Sequence, residues 1–215
     1  MPPASGRARA AAPSRSLPAG VKIRSLTPDD WPAVERLFGP KGACGGCWCM
    51  WWRLPSHGRA WREAVGEPNR RALRTLIHGG EVHSVLAVRG REAVAWCNFG
   101  PRESFAFLVK SRALARPVSP GLWSVVCFYL PPAWRRRGLG RALLEAATER
   151  AFALGAAEVE GFPVVPHGPG ATIPAAFAWT GLPAQFEAAG FKRLRRAAGA
   201  RPIYVRRPPA RRRPA

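Results

Sequence analysis

The segment Trp123–Leu144 constrains the fold of this chain more than any other. Trp123–Leu130 is almost wholly apolar, the pattern of a strand buried on both faces of a sheet. Pro131-Pro132 ends the run, and Arg135-Arg136-Arg137-Gly138-Leu139-Gly140-Arg141 then opens a helix predicted over Gly138–Leu154. Leu139, Leu143, Ala147 and Ala151 share one face of that helix, and Gly155 stops it. The first N–H groups of a helix have no intrahelical partner and lie at the positive end of its dipole. Gly138 and Gly140 lack a Cβ, so an anion can approach the main chain closely. Arg135, Arg136, Arg137 and Arg141 surround the same turn with charge suited to a diphosphate. The turn is neither GxxxxGK[ST] nor GxGxxG.

The remaining elements follow from periodicity and punctuation. Val21–Ser25 alternates as a first strand; Thr27 caps a helix with Pro28 in its first position, which runs to about Phe38. Pro68–His78 is a second helix, and Val82–Val88 with Ala93–Phe99 form an antiparallel hairpin around Arg89–Glu92. Val159–Val165 is an apolar strand, Ala184–Ala189 a short helix, and Phe191–Arg196 and Pro202–Arg206 closing strands. The order β-α-α-β-β-β-α-β-α-β-β predicts an α/β (α+β) mixed sheet, mostly antiparallel, with helices on both faces.

At 215 residues the chain suits one domain, expected over 21–206, between a basic leader (1–20) and an Arg/Pro-rich tail (207–215), both expected to be disordered. No apolar run approaches the ~18–20 residues of a membrane span, and the leader lacks the apolar core of a signal peptide. The expected location is the cytoplasm. There are 34 Lys and Arg against 13 Asp and Glu, a net charge of +21, which favours a polyanionic partner such as nucleic acid or a phosphorylated ligand. No nucleic-acid-binding signature accompanies the charge, and the strand–turn–helix absorbs the densest internal arginine cluster.

Arg135-x-x-Gly138-x-Gly140, between a buried strand and a long amphipathic helix, resembles motif A of the GCN5-related N-acetyltransferases, and the element order from Val21 to Arg206 is similar to that family's. The resemblance implies an acetyl-CoA-dependent N-acetyltransferase fold that transfers an acetyl group directly to an amine. It implies a strand splayed around Cys127–Leu130, with Phe128 and Leu130 bonding the cofactor arm and one N–H polarising the thioester carbonyl. Arg135, Arg136, Arg137, Gly138, Leu139, Gly140 and Arg141 would hold the pyrophosphate. The other classes left open are a basic nucleic-acid-binding protein and a degenerate acetyl-CoA sensor. The acceptor amine and the oligomeric state, a homodimer included, are not readable.

In many members a Tyr four residues before a Gly-Phe pair protonates the leaving thiolate. Here Phe186 stands in that position, before Gly190-Phe191. Tyr129 is the alternative acid, although a strand packing role also fits it. Glu160, the one acid within Val159–Val165, is the candidate base, with a salt-bridged Glu as the competing reading.

Cys44-Gly45-Gly46-Cys47-Trp48-Cys49-Met50-Trp51-Trp52-Arg53 is the least ordinary stretch. CxxC followed by CxC is thiolate-ligand spacing, and Cys97 or His57 could complete a tetrahedral zinc site with Cys44, Cys47 and Cys49. No second CxxC or HxxxH completes a finger, so no metal is expected. In the resembled family this segment walls the acceptor cleft, which would put Trp48, Trp51, Trp52 and Arg53 there. Glu103 could hold a cationic acceptor, and His167 reads as a surface residue.

Overall fold

The computed structural model describes residues 16–55, 59–166, 171–194 and 201–209. Seven strands form one sheet: β1 (Val21–Ser25), β2 (His83–Arg89), β3 (Glu92–Pro101), β4 (Leu122–Tyr129), β5 (Glu158–Gly161), β6 (Lys192–Arg193) and β7 (Tyr204–Arg206), in the order β1-β2-β3-β4-β5-β7-β6. Every neighbouring pair is antiparallel except β4–β5, which is parallel. The helices are α1 (Trp31–Phe38), α2 (Arg59–Ala64), α3 (Glu67–His78), α4 (Ala106–Lys110), α5 (Leu139–Ala153) and α6 (Pro183–Ala188). A parallel pair needs a crossover, and α5 supplies it between β4 and β5.

Strand alternation sorts the sheet into two faces. Val85, Ala87, Ala95, Cys97 and Val125 pack with Leu139, Leu143, Ala147 and Ala151 of α5 and Phe186 of α6. Leu86, Val88 and Trp96 pack instead with Val34 and Phe38 of α1 and Leu73 and Ile77 of α3. A third cluster, Trp52, Phe105, Leu108, Val126 and Phe162, contains Val126 of β4 and the residue just after β5. The sheet is mixed, mostly antiparallel, and flanked by helices, as the element order predicts.

The predicted Val159–Val165 strand stops at Gly161, because Phe162 turns into the third cluster and Pro163 has no N–H for a ladder. The closing strands shorten to Lys192–Arg193 and Tyr204–Arg206. Helices α2 and α4 do not emerge from the sequence pattern. Each is six residues or fewer, too short for propensity to decide without tertiary packing. Two residues outside the expected 21–206 also make contacts with the fold. Leu17 packs against the α5-side core, and Arg207 Nε donates to Glu158 Oε2 at 2.7 Å. The rest of the leader (1–15), the end of the tail (210–215), His57 and His167 lie outside the described residues. Among the described residues no helix is long and apolar enough to cross a membrane.

The entry to α1 depends on one carboxylate. A 3-10 turn, Pro28–Asp30, precedes the helix. Asp30 accepts both Arg24 guanidinium nitrogens at 2.6 Å, and the Thr27 N–H and hydroxyl at 2.8 and 2.9 Å. Burial pushes the Asp30 carboxyl up, but Arg24 and the two Thr27 donors outweigh it and hold it below the ordinary range. A folded value below the unfolded one makes this stabilisation complete above about pH 4 and lost as the pH falls further. Asp30→Asn is expected to lower stability by about 1–2 kcal/mol in urea melts at pH 7. Its deficit relative to wild type should close as the melts are repeated below about pH 3; a deficit independent of pH would contradict this account.

Candidate functional site

Strands β4 and β5 pair in register from Leu122 opposite Glu158 to Val125 opposite Gly161, and no further. Beyond that point they splay. The Val126 carbonyl accepts the Trp52 indole N–H at 2.9 Å, and the Phe128 N–H donates to the Trp179 carbonyl at 2.7 Å. The Val164 N–H on the other arm donates to the Gly181 carbonyl at 3.0 Å. A side chain and a loop thus take up the groups that a continuing strand would have bonded. The splay opens into a cleft with two halves, which share Ala43, Cys44, Phe128, Tyr129, Ala176 and Trp179.

One half is basic, with a volume of about 400 Å³. It is lined by Leu130, Arg135, Arg136, Gly138, Gly140, Arg141 and Gln185 in addition to the shared residues. Arg136 and Gly138 have φ of 58° and 80°, with Arg137 between them outside the left-handed region. Backbone that alternates in hand turns successive N–H groups toward one concavity, an arrangement that binds anions. Gly138 is the N-cap of α5, so the free N–H groups of its first turn and the dipole's positive end add to the concavity. Arg135 is braced by its Nε bond to the Leu130 carbonyl at 2.8 Å, which ties the turn back to the end of β4.

Two expected ligands of this turn act differently. The Leu139 side chain is buried in the α5-side core, so only its main chain faces the turn. The Arg137 guanidinium stacks 5.6 Å from the Trp134 ring and does not line the cleft.

The other half is aromatic, with a volume of about 460 Å³. Phe38, Trp51, Trp52, Trp61, Phe177 and Trp179 form most of its wall. Cys47, Cys49 and Cys127 complete it. The Cys49 Sγ accepts the Trp96 indole N–H at 3.1 Å. Burial pushes the Cys49 thiol up, but the Trp96 bond, the neighbouring Cys127 and Asn98 groups and the Arg53 charge together bring it below the ordinary thiol value. Burial raises Cys47 to about 12 and Cys97 well above its usual range, and the bond to Cys49 raises Cys127. Cys49 is therefore more acidic than these three neighbours. Among the described residues no group of three or more His, Cys, Asp or Glu could hold a metal ion.

The structure removes four expected residues from the cleft wall. Trp48 is buried against Trp31 and Phe38 in the α1–α3 core. Arg53 lies 5.2 Å from the Phe105 ring, behind the wall. Glu103 is exposed on a 3-10 turn after β3. Glu160, the expected base, is fully buried and ion-paired, so the salt-bridge reading holds. Its Oε1 accepts the Arg102 guanidinium and, at 2.8 Å, the Ser124 hydroxyl; its Oε2 accepts Arg116 at 3.2 Å. With both oxygens occupied and no face on the cleft, it cannot collect a proton from an amine there. Glu160→Leu is expected to cost about 3–5 kcal/mol in denaturant melts, because Arg102 would remain buried without its anion. Preserved stability with selectively lost turnover would instead return Glu160 to the chemistry.

Trp61, Cys127, Phe177 and Trp179 are wall residues that the sequence reading missed. The available signal was an isolated Trp in the Gly/Pro-rich run that follows β5. Phe186 is fully buried and does not line either half.

Residues 49–171 match the acetyltransferase (GNAT) family, which is more than half of the chain, and the protein belongs to that family. Among solved structures, the GNAT domain of S. lividans PAT is 15% identical with a TM-score of 0.52, covering 87% of this chain and 90% of that one. The PaiA N-acetyltransferase of Thermoplasma acidophilum, in complex with coenzyme A, is 13% identical with a TM-score of 0.50, covering 87% and 98%. At these identities the likeness concerns the fold. A comparison with curated protein sequences finds no match.

Proposed function

We propose that this protein is an acetyl-CoA-dependent N-acetyltransferase whose basic half holds the donor and whose aromatic half holds the amine. The observation that carries this reading is the continuity of the two halves across Phe128 and Tyr129, at the point where β4 leaves β5. The residues present fit such a donor. The left-handed Gly138, the α5 N-terminus, Arg135, Arg136 and Arg141 suit a diphosphate, and the exposed edge of β4 toward Leu130 suits an amide-containing arm. Bound there, acetyl-CoA supplies an activated thioester carbonyl.

The chain's own residues account for much of the remaining chemistry. The Phe128 N–H is bonded to Trp179, so an oxyanion donor from β4 must come from farther along the strand, with the Leu130 N–H on the same edge by two-residue alternation. Tyr129 lines both halves, and its ring packs edge-on to Phe38 at 5.5 Å. Burial raises the Tyr129 phenol above its ordinary value against the opposing Arg135 charge, so it remains a proton donor across the neutral range. It can protonate a leaving thiolate at the junction. Desolvation in the apolar half disfavours an ammonium ion, so the amine that enters is driven toward its neutral, nucleophilic form. Among the described residues no carboxylate in the wall accepts the proton that the amine releases on transfer, so it passes through water and restores the proton that Tyr129 gives to the sulfur.

Two measurements test this reading. Acetyl-CoA at about 100 times its Kd should stabilise the wild-type protein by about 2.7 kcal/mol, read as a rise in Tm. Gly138→Asp, which adds a Cβ at positive φ and a like charge at the phosphate, should abolish the shift while folding normally. A shift produced by oligonucleotides but not by acetyl-CoA would reject the proposal. Tyr129→Phe should lower kcat on the order of 10²-fold with little change in the donor's KM, a modest loss because a thiolate already leaves well. An unchanged kcat would remove Tyr129 as the acid.

A further inference from the structure

The aromatic half of the cleft is more selective than an unspecified amine site would be. Among the described residues no carboxylate lines it. The nearby acids are committed elsewhere: Glu160 to Arg102 and Arg116, and Glu158 to Arg116 and Arg207. A polyamine or aminoglycoside carries several ammonium groups, and ring faces can take one of them by cation–π contact but offer no anions for the rest. An amino acid acceptor would need a cation for its carboxylate, and among the described residues no Lys or Arg lines this half.

What the wall offers is ring surface in a fixed arrangement. Trp51 meets Trp61 edge-on at 4.9 Å and Trp179 at 6.1 Å, and Trp52 tilts against Trp179 at 5.7 Å. Two of these rings hang from the splayed strand itself, Trp52 through its indole bond to Val126 and Trp179 through its carbonyl bond to Phe128. Mutually steep indoles present both faces and edges inward, which suits a flat aromatic guest in stacked and T-shaped contact. Phe177, 65% exposed, marks an apolar rim. A cavity of about 460 Å³ accommodates a small aromatic body with a short side chain.

We infer that the acceptor is an arylalkylamine, an aromatic body bearing a single primary amine and no other charge, with the ring lodged among Trp51, Trp52, Trp61 and Trp179 and the amine directed toward Tyr129. This inference rests on the acetyl-transfer reading. The full chain would be assayed by chromatographic detection of acetylated product with acetyl-CoA and a panel of tryptamine, 2-phenylethylamine, n-butylamine, spermidine, kanamycin and lysine. Tryptamine and 2-phenylethylamine should be acetylated with kcat/KM at least about tenfold above n-butylamine, the discrimination expected of an apolar pocket, and the polycations and lysine should be poor acceptors.

Trp61→Ala should raise the KM for tryptamine about tenfold, leave the KM for acetyl-CoA unchanged, and be largely rescued by Trp61→Phe. Trp61 sits half-buried on the short α2, so its removal spares the sheet core. Preferred transfer to spermidine, kanamycin or lysine would overturn the inference. So would stabilisation by acetyl-CoA without transfer to either arylalkylamine, or preferential use of benzoyl-CoA with small amines, which would make the aromatic half an acyl pocket. Failure of acetyl-CoA to stabilise the protein would refute the acetyltransferase reading itself, so the two failures are distinct.

Discussion

The end of the parallel ladder at Val125 and Gly161 is the constraint on which the rest of the site depends. A parallel pair buried in a sheet has no reason to part unless its polar edges are satisfied elsewhere. Here they are satisfied by a tryptophan indole on one side and by the 174–182 segment on the other. The opening therefore results from specific replacement bonds. The same opening brings the α5 turn, the strand end and the Cys/Trp loop to one place.

Below the opening the sheet is clamped. Ser124 and Glu160 face each other one residue before the ladder stops, and Arg102 and Arg116 close on the same carboxylate. A buried ion network of this kind need not add net stability, but breaking it is costly, and it fixes geometry. Its placement lets β4 and β5 diverge above while held below. The acid that resembles a catalytic base in the sequence is thus part of the clamp.

Much of the architecture was legible in the sequence because it rests on local signals. The apolar run of β4, the glycines of the α5 turn and the periodicity of Leu139, Leu143, Ala147 and Ala151 each carry their own physical meaning. The basic half follows from them, since its lining combines main-chain groups at a helix start with adjacent arginines. The aromatic half was legible only in part. Trp51 and Trp52 line it, but Trp48, three residues before Trp51, turns into the α1–α3 core because Trp48 and Cys49 adopt positive φ of 47° and 59°. Trp61 and Trp179 come from distant segments, joined by packing that no spacing encodes. Glu160 misled for a related reason. Burial of an acid in an apolar strand is visible in sequence, whereas its two arginine partners, 58 and 44 residues away, are not.

Phe186 lies edge-on to Phe191 at 5.1 Å, and a Cβ at Gly161 would overlap its ring. The backbone of β5 and the ring have been fitted to each other, so this corner of the molecule belongs to the core and has no line of approach from the cleft. The tip of the ring lies against the Gly161 backbone, away from both halves of the cleft. Position 186 has no face on the cleft, whereas Tyr129, which lines both halves, is carried by a strand. The residue four places before Gly-Phe therefore says nothing of the cleft in this chain, whose walls are set by which elements reach the splay.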